Sequence, residues 1–271
     1  MVKTIDNPLG MIRLPSTTST YINLWEKCKN SEEELEFVSS LEVRLGVKIN
    51  KEFINSAALH TAIYLDSYGN EPNYKVTYQQ GFVVYALFRK YLEETNYDHY
   101  NVVEVGTAKG FTALCLAKAL DDCNKKGTVH TIDVLPNDKK IYWRCIGDMT
   151  GKKTRPELMK NWSSLRDNFI KFHHGSSLDI LPNLNLKRIH FAFLDGSHDY
   201  QHVSYELNFL KNLQKHNDII VCDDFTQNKY EGIIQAVLEF AKINNNTENF
   251  CIFGLKEGPN YGNRGYAVLK R

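Results

Sequence analysis

The chain has 271 residues, 42% of them hydrophobic, and a formal net charge of +1. Such a chain is long and apolar enough for one large domain, or one domain with a small extension. A charge this close to zero gives no reason to expect a nucleic-acid or membrane partner. The sequence shows no apolar signal-peptide run and no stretch long enough to span a bilayer. Its six cysteines form no C-x-x-C pair, so we expect reduced, mostly buried thiols in a cytoplasmic protein.

The first part of the chain has helical rather than alternating patterns. The segment Ser31–Gly46 begins with three glutamates after a serine and ends at a glycine, which is typical of a capped helix. Further helices are predicted over 53–65 and from residue 77 to about residue 94. We therefore predict a helical extension over residues 1–97 that packs on a main domain, residues 98–271, and roofs its site.

From Tyr100 onwards, short apolar runs alternate with helical segments. The predicted strands are 101–105, 128–133, 169–174, 189–195, 217–222, 250–254 and 265–269. Alternating strands and helices are typical of a parallel sheet. The last two strands follow each other without a helix, as in a hairpin. The sequence therefore predicts an α/β fold with a seven-stranded, mostly parallel sheet.

The most informative segment follows the first predicted strand. It reads Glu104-Val-Gly-Thr-Ala-Lys-Gly110, and a helical pattern begins at Phe111. A strand, a glycine-bearing turn and a helix make a cradle for a nucleotide-like ligand, because glycine lets backbone approach the ligand closely. The spacing is not the G-x-G-x-x-G of dinucleotide sites. Taken alone, the segment is also compatible with an ordinary strand–helix turn.

Asp133 ends the second predicted strand, between 20 and 30 residues after the glycine turn. An acid in this place can accept hydrogen bonds from both hydroxyls of a ribose. The alternative is an aspartate that only caps a helix or belongs to a loop.

Three acids follow the fourth and fifth predicted strands: Asp195, Asp223 and Asp224. Ligands bind beyond the carboxyl ends of strands in an open parallel sheet, so these acids converge on the ligand edge. Crowded carboxylates repel one another unless a positive charge neutralises them, and Mg²⁺ prefers such oxygen ligands. The alternative is that Asp195 caps a helix and contacts the ligand, while Asp223 and Asp224 form a solvated turn.

His198 lies three residues after Asp195. A histidine ordinarily titrates near neutral pH and is therefore suited to act as a general base. A position beside the metal and a purely structural role are the alternatives. His202 is four residues further on and would complete a zinc-like pair, but the neighbouring acids are hard ligands and no cysteine is near, so zinc is disfavoured.

Together these segments resemble the class I S-adenosylmethionine-dependent methyltransferases. The resemblance covers about residues 77–271 and includes the helix start Thr77–Gly81. Its carriers are Glu-Val-Gly-Thr-Ala-Lys-Gly-Phe-Thr at 104–112, Gly-Ser-Ser-Leu-Asp-Ile-Leu-Pro at 175–182, Leu-Asp-Gly-Ser-His at 194–198 and Cys-Asp-Asp-Phe at 222–225. The chain is similar in particular to the catechol-type and macrocin-type (sugar) O-methyltransferases. Many catechol-type enzymes have Asp-Asn at 223–224, whereas the macrocin-type group tolerates two aspartates.

The resemblance implies a Rossmann-like methyltransferase fold and transfer to a hydroxyl of a small polyhydroxylated molecule, either a sugar or a phenolic. It implies S-adenosylmethionine as donor and Mg²⁺ as metal. The donor-binding residues would be Glu104, Gly106, Thr107, Ala108, Gly110, Thr112, Asp133, Gly175, Ser176, Ser177 and Asp195. The metal ligands would be Asp195, Asp223 and Asp224, and His198 would replace the catalytic lysine of catechol-type enzymes.

In more detail, the resemblance implies that Thr112 contacts the methionine carboxylate of the donor, that Glu104 lies near its amine and that Ser177 meets the adenine. A homo-oligomer is compatible with the sequence. The rival interpretations are a methyltransferase-like binding or scaffold protein without turnover, and another Rossmann-like transferase.

The connection over residues 134–170 is longer than the catechol-type fold needs. Long connections in compact domains are often functional. This one contains Tyr142, Trp143, Arg144, Met149 and the basic run Lys152–Arg155. We expect such side chains to stack on a sugar-like ring or to hold an anionic group. The basic run is otherwise typical of a solvated face.

Overall fold

The computed structural model describes residues 26, 29–62, 78–143, 145–148, 150–244, 249–256 and 263–271. Several sequence predictions lie outside the described residues. These are the irregular segment 1–20, the end of the helix predicted over 53–65, the helix start at Thr77, the contributions of Arg144 and Met149, and most of the turn-rich loop 257–264.

Seven strands form one sheet in the order β3-β2-β1-β4-β5-β7-β6. The strands are β1 Tyr100–Val105, β2 Gly127–Asp133, β3 Ile170–His174, β4 Phe191–Leu194, β5 Ile219–Cys222, β6 Phe250–Lys256 and β7 Asn263–Lys270. Strands β1 to β5 are parallel, and β7 runs antiparallel to both β5 and β6. This confirms the predicted Rossmann-like, mostly parallel sheet. The order reverses between β1 and β4, which is where ligands bind in open sheets of this kind.

Nine α-helices accompany the sheet in the described part of the chain. They are α1 Glu32–Leu45, α2 Lys51–Ala57, α3 Gln79–Glu94, α4 Phe111–Asp122, α5 Arg155–Leu158, α6 Ser163–Phe169, α7 Ser177–Asn183, α8 Tyr200–Leu213 and α9 Glu231–Asn244. Helix α2 continues as a π-helical turn, Ala58–Ala62, and 3₁₀ turns lie at Ile146–Asp148 and Lys160–Trp162. The predicted caps of α1 are confirmed: the Ser31 side chain accepts from the Glu34 amide, and Gly46 ends the helix with φ 69°.

The N-terminal helices pack on the sheet through a shared core. Phe37 of α1 and Phe88 of α3 belong to the same buried cluster as Phe191 of β4. Side chains reinforce this packing: Gln79 Nε2 donates to Glu34 Oε2 at 2.9 Å. Packing on the main domain therefore agrees with the expected extension, while the boundary at residue 97 stays a prediction.

Two simpler expectations can be compared with the described residues. Cys115, Cys123, Cys145, Cys222 and Cys251 are free thiols, three of them buried; Cys28 lies outside the described part. Within the described ranges, no helix has both the length and the apolar character that crossing a bilayer requires.

Candidate active site at the carboxyl edge of the sheet

The glycine turn after β1 is shaped by the protein itself. Gly106 has φ 98°, and a Cβ there would lie 2.0 Å from the backbone oxygen of Asp195. Gly110 has φ 92°, and its Cβ would lie 2.6 Å from Met159 Sδ. Neither position accepts a side chain without a shift of its neighbours. The sequence interpretation assigned these glycines to close ligand approach and to backbone conformations that a Cβ would block. The positive φ angles agree with the second reason, and at Gly106 the contact with the Asp195 backbone requires glycine as well.

Glu104 lies beneath this turn and is fully buried. Thr131 Oγ1 donates to one carboxylate oxygen, Oε2. The other oxygen, Oε1, makes no hydrogen bond of ordinary geometry among the described residues. Burial raises the pKa of Glu104 to about 8, although the Ala113 amide helps to lower the pKa of the group. The carboxyl group therefore keeps one oxygen for a further partner, and a positively charged partner would favour its ionised form.

Asp133, at the end of β2, is bonded by three groups of the protein. Its Oδ2 accepts from the Ala108 amide at 2.6 Å and pairs with Arg155 Nη2 at 3.1 Å. Its Oδ1 accepts from the Leu135 amide at 2.7 Å. A carboxylate offers about four acceptor sites, so Oδ1 keeps capacity for another donor. The predicted ribose contact would use that oxygen.

Arg155 and Trp143 do not have the exposed roles that the sequence indicated. Both side chains are fully buried. The Arg155 guanidinium lies 5.0 Å from the Trp143 ring centre, and Trp143 Nε1 donates to the Lys153 carbonyl at 2.7 Å. The interpretation of residues 152–155 as a solvated face is therefore wrong for Arg155. Neither ring nor guanidinium can meet an acceptor molecule, because each is already enclosed.

The Gly-Ser-Ser loop after β3 is also engaged with the protein. Gly175 donates its amide to the Asp133 carbonyl at 2.9 Å. Ser176 caps α7 by accepting from the Leu178 amide at 3.3 Å. Ser177 Oγ donates to Glu206 Oε1 at 2.5 Å, and burial raises the pKa of Glu206 to about 7. The Ser177 hydroxyl thus already bonds a buried partner, and its contact with adenine stays a prediction.

The three predicted acids do converge at the ends of β4 and β5. The Asp195 amide donates to the Val105 carbonyl, and the Asp223 amide donates to the Leu194 carbonyl, both at 2.9 Å. These ladder bonds place the acids side by side at the carboxyl edge. Burial and the neighbouring Asp223 raise the pKa of Asp195 well above its ordinary range.

Arg264, which sequence reasoning missed, supplies a counter-charge to this cluster. Its Nε donates to Asp223 Oδ1 at 2.9 Å, and its Nη2 donates to Asp223 Oδ2. The same Nε lies 3.7 Å from Asp224 Oδ1. Both oxygens of Asp223 are therefore taken by a buried guanidinium. The only sequence signal was an arginine next to an apolar strand, together with three acids that require a cation.

His198 joins the cluster from the loop before α8. Its Nε2 lies 2.9 Å from Asp224 Oδ2, and its ring stacks on Tyr230 with centres 4.2 Å apart. Burial opposes ionisation of Asp224, but the hydrogen bond with His198 and the charge of Arg264 hold its pKa below the ordinary value. Asp195, His198 and Asp224 each offer a ligand atom, all within 4.8 Å of one another. The grouping suited to a metal thus contains His198 where the sequence predicted Asp223.

A cavity of about 300 Å³ links the glycine turn to these acids. Predicted residues on its wall are Gly106, Thr107, Ala108, Thr112, Asp195 and Asp224; unpredicted ones are Thr61, Gln80, Lys109, Phe111, Lys229, Tyr230 and Arg264. Glu104, Gly110, Asp133, Gly175, Ser176, Ser177, Asp223 and His198 are not part of that wall. The structure therefore brings the turn and the acids together, whereas the residues expected around adenosine lie beside the cavity.

Residues 103–225 match the model of a family described as a methyltransferase domain. No curated protein matches the chain. Among solved structures, cofactor-bound Rv0187 from MTB is 17% identical over 88% of this chain and 96% of its own, with a TM-score of 0.52. TomG, an O-methyltransferase from Streptomyces achromogenes in complex with SAM, is 18% identical over 88% and 97%, with a TM-score of 0.51. CalS11, a TDP-rhamnose 3'-O-methyltransferase, is 14% identical over 89% and 95%, with a TM-score of 0.50.

At these identities the likeness to solved structures is one of fold. The domain match over residues 103–225 and the likeness in fold agree with each other. The resemblance to class I methyltransferases that the motifs indicated is therefore confirmed.

Proposed function

We propose that this chain, a methyltransferase by its domain match and its fold, transfers a methyl group from S-adenosylmethionine to a hydroxyl oxygen of a small molecule. The observation that carries the proposal is the cavity that joins the glycine turn to the acids at the ends of β4 and β5. A methyl donor at the turn and an acceptor at the acids would share this one cavity. Holding two reactants in such a space accelerates transfer chiefly by positioning them.

The donor would lie along the turn Gly106–Gly110. Thr112 lines the cavity and would contact the methionine carboxylate. Glu104 has a carboxyl oxygen without a hydrogen bond of ordinary geometry among the described residues, directly beneath the turn, and would meet the methionine amine. Asp133 would accept from the ribose, and the backbone of Gly175–Ser177 would border the adenine. Asp195 stands between the donor and acceptor ends.

The acceptor would lie against Asp224, Lys229 and Tyr230, which line the other end of the cavity. His198 would remove the proton of the reacting hydroxyl. The hydrogen bond between His198 Nε2 and Asp224 leaves Nδ1 as the nitrogen that accepts this proton. The hydroxyl oxygen then bonds to the methyl carbon while the carbon–sulfur bond breaks. The products are a methyl ether, S-adenosylhomocysteine and a proton held by His198.

The cluster also fits a hard divalent cation such as Mg²⁺. Asp195 and Asp224 would hold it, since their oxygens are near each other and Asp223 is occupied by Arg264. A bound cation orients acceptor hydroxyls and lowers their pKa. Metal dependence is therefore part of the proposal, with Asp223 as a supporting residue that fixes Arg264.

The acceptor is proposed to be a polyhydroxylated small molecule, either a sugar or a phenolic. Hydroxyl, amide and charged groups of the cavity wall, including Thr61, Gln80 and Lys109, support a polar acceptor. The likeness in fold to a TDP-rhamnose 3'-O-methyltransferase supports a sugar in particular.

The test combines binding and turnover on the full chain. Titration calorimetry with S-adenosylhomocysteine should show one site, and a panel of sugars, sugar nucleotides and phenolics should yield a methylated product. Excess chelator should abolish turnover, and Mg²⁺ should restore it. Donor binding without any turnover across the panel would favour a scaffold protein. Absence of donor binding would refute the proposal.

A further inference from the structure

Arg155 is a buried residue that connects the long segment 134–170 to the proposed donor site. We infer that Arg155 is a positioning residue for S-adenosylmethionine: it holds Ala108 and Asp133 in the arrangement that receives the ribose. This inference rests on the proposed function. It gives the segment 134–170 a role as a brace of the donor site, in place of the acceptor-binding role expected from its sequence.

Two hydrogen bonds and one ion pair link Arg155, Ala108 and Asp133 in a closed ring. Arg155 Nε donates to the Ala108 carbonyl at 2.7 Å, and Arg155 Nη2 lies 3.1 Å from Asp133 Oδ2. The Ala108 amide donates to the same Asp133 oxygen at 2.6 Å. Both backbone groups of Ala108 are therefore fixed, one by the acid and one by the arginine.

Ala108 needs this support because its backbone is in the left-handed region, with φ 44°. That conformation is uncommon for a residue with a Cβ and persists where surrounding contacts determine it. The amide and carbonyl bonds are such contacts. Loss of Arg155 would release the Ala108 carbonyl and allow the middle of the donor turn to relax.

Arg155 itself is held rigidly. Its backbone amide donates to the Asn137 carbonyl at 3.1 Å, and its Nη1 donates to Asn137 Oδ1. It follows Thr154, which begins α5 through reciprocal bonds with Glu157. A guanidinium so fixed presents its planar set of donors without a further loss of side-chain freedom. Asp133 Oδ1 is not bonded by Arg155. Among the described residues it accepts only from the Leu135 amide, so it has capacity for a ribose hydroxyl.

The same ion pair also allows the opposite outcome, in which Arg155 competes with the ribose for Asp133. The two outcomes differ in sign. A positioning residue strengthens donor binding, so its removal weakens binding. A competitor weakens donor binding, so its removal strengthens it.

The experiment measures affinity for S-adenosylhomocysteine and for adenosine, by titration calorimetry on the full chain. Arg155→Met should weaken both by the same factor, roughly 10–100-fold, as expected for hydrogen bonds to a charged group. Asn137→Ala keeps the buried charge and should weaken both by a smaller factor. Arg166→Met is the matched control, because Arg166 donates to Pro156 in the same segment at 2.8 Å without touching the turn; it should leave both affinities unchanged.

A double variant separates positioning from general stability. In an Asp133→Asn background, Arg155→Met should cost much less donor affinity than it does alone, because the two residues act together. A merely structural role would lower the melting temperature in both backgrounds and leave the two affinity losses equal. If Arg155→Met does not fold, the affinities of Asn137→Ala for S-adenosylhomocysteine and adenosine test the inference instead.

Three results would overturn the inference while leaving the proposed function intact: unchanged donor affinity in folded Arg155→Met, tighter donor binding, or a loss confined to S-adenosylhomocysteine with adenosine unaffected. The last result would mean that Arg155 supports binding of the methionine part of the donor and not of its ribose. A wild-type chain that binds neither ligand would instead refute the proposed function, and the inference with it.

Discussion

The carboxyl ends of β2 and β5 each have a buried aspartate–arginine ion pair, but the two ends differ in the number of acids around the arginine. Each has a strand-end aspartate paired with a buried arginine from later in the chain: Asp133 with Arg155, and Asp223 with Arg264. At β2 one acid forms an ion pair with one arginine, and Glu104 acts on Arg155 only through its charge, without an ion pair among the described residues. At β5 the arginine faces Asp223 while Asp224 and Asp195 lie beside it, so acids outnumber the arginine.

This difference indicates which of the two strand ends supports the donor site and which one takes part in the reaction. A balanced buried pair has little to gain from a further ion, since each charge already has its partner. An excess of carboxylates is relieved by a cation or by a proton. His198, and a metal if one binds, therefore belong at the β5 end, while the β2 end holds the donor.

The largest effect is expected for His198→Ala. If His198 is the base at the reactive end, turnover should fall by roughly 10²–10⁴-fold, while S-adenosylhomocysteine affinity hardly changes. The measurement is steady-state turnover beside titration calorimetry. His202→Ala is the control, because His202 pairs with Asp199 at 2.7 Å at the start of α8 and does not belong to the grouping of Asp195, His198 and Asp224. Near wild-type turnover of His198→Ala at saturating Mg²⁺ would exclude the base role.

The next largest effect is on stability, and it distinguishes the role of Arg264 from that of Arg155. Arg264→Met leaves Asp223 buried without its partner and should lower the free energy of unfolding by about 3–5 kcal/mol. Mg²⁺ should restore part of this stability, because the cation can neutralise the excess carboxylates at the end of β5. Arg155→Met should show no such recovery. Denaturant titrations with and without Mg²⁺ measure both, and equal behaviour of the two variants would contradict the proposed charge imbalance.

Glu104, at the end of β1, makes no ion pair with either arginine in the described part of the chain, and its pKa is about 8 instead of 4.5. A raised pKa in the folded state means that the group stabilises the fold below about pH 4.5 and loses that contribution as pH rises through 8. Between pH 5 and 9 the wild type should therefore lose roughly 2–4 kcal/mol more stability than Glu104→Gln. The measurement is the free energy of unfolding of both proteins as a function of pH. If the two curves run parallel, Glu104 is ionised in the folded state over this range and the prediction is wrong.

Local sequence patterns, together with the family resemblance, were enough to predict the fold and the sheet edge at which the candidate site lies. The strands 101–105 and 128–133, and the acids after the fourth and fifth strands, could be recognised because period and composition are local properties. The connection rules that most α/β sheets obey then limit the strand orders that such a chain can adopt.

The two arginines could not be placed from sequence. Arg155 looks like part of a basic surface run, and Arg264 like part of a turn-rich loop. Their burial depends on partners 22 and 41 residues away in the chain, Asp133 and Asp223. Nothing local to either arginine specifies such a partner. The engaged hydroxyl of Ser177 was missed for the same reason, since Glu206 lies on another helix.

The last prediction decides which acids hold a cation at the β5 end, using Asp224→Asn and Asp223→Asn as a matched pair. Asp224 contacts Arg264 only at 3.7 Å and shares the metal-suited grouping with Asp195 and His198, so its loss should weaken Mg²⁺ affinity by roughly tenfold or more. Asp223 has both oxygens bonded by Arg264, so its loss should weaken Mg²⁺ affinity less and stability more. Calorimetric Mg²⁺ titration and denaturant melts of both variants give the two quantities. An equal loss of Mg²⁺ affinity in the pair would mean that Arg264 releases Asp223 when the cation binds, and the three-aspartate ligand set expected from the sequence would then stand.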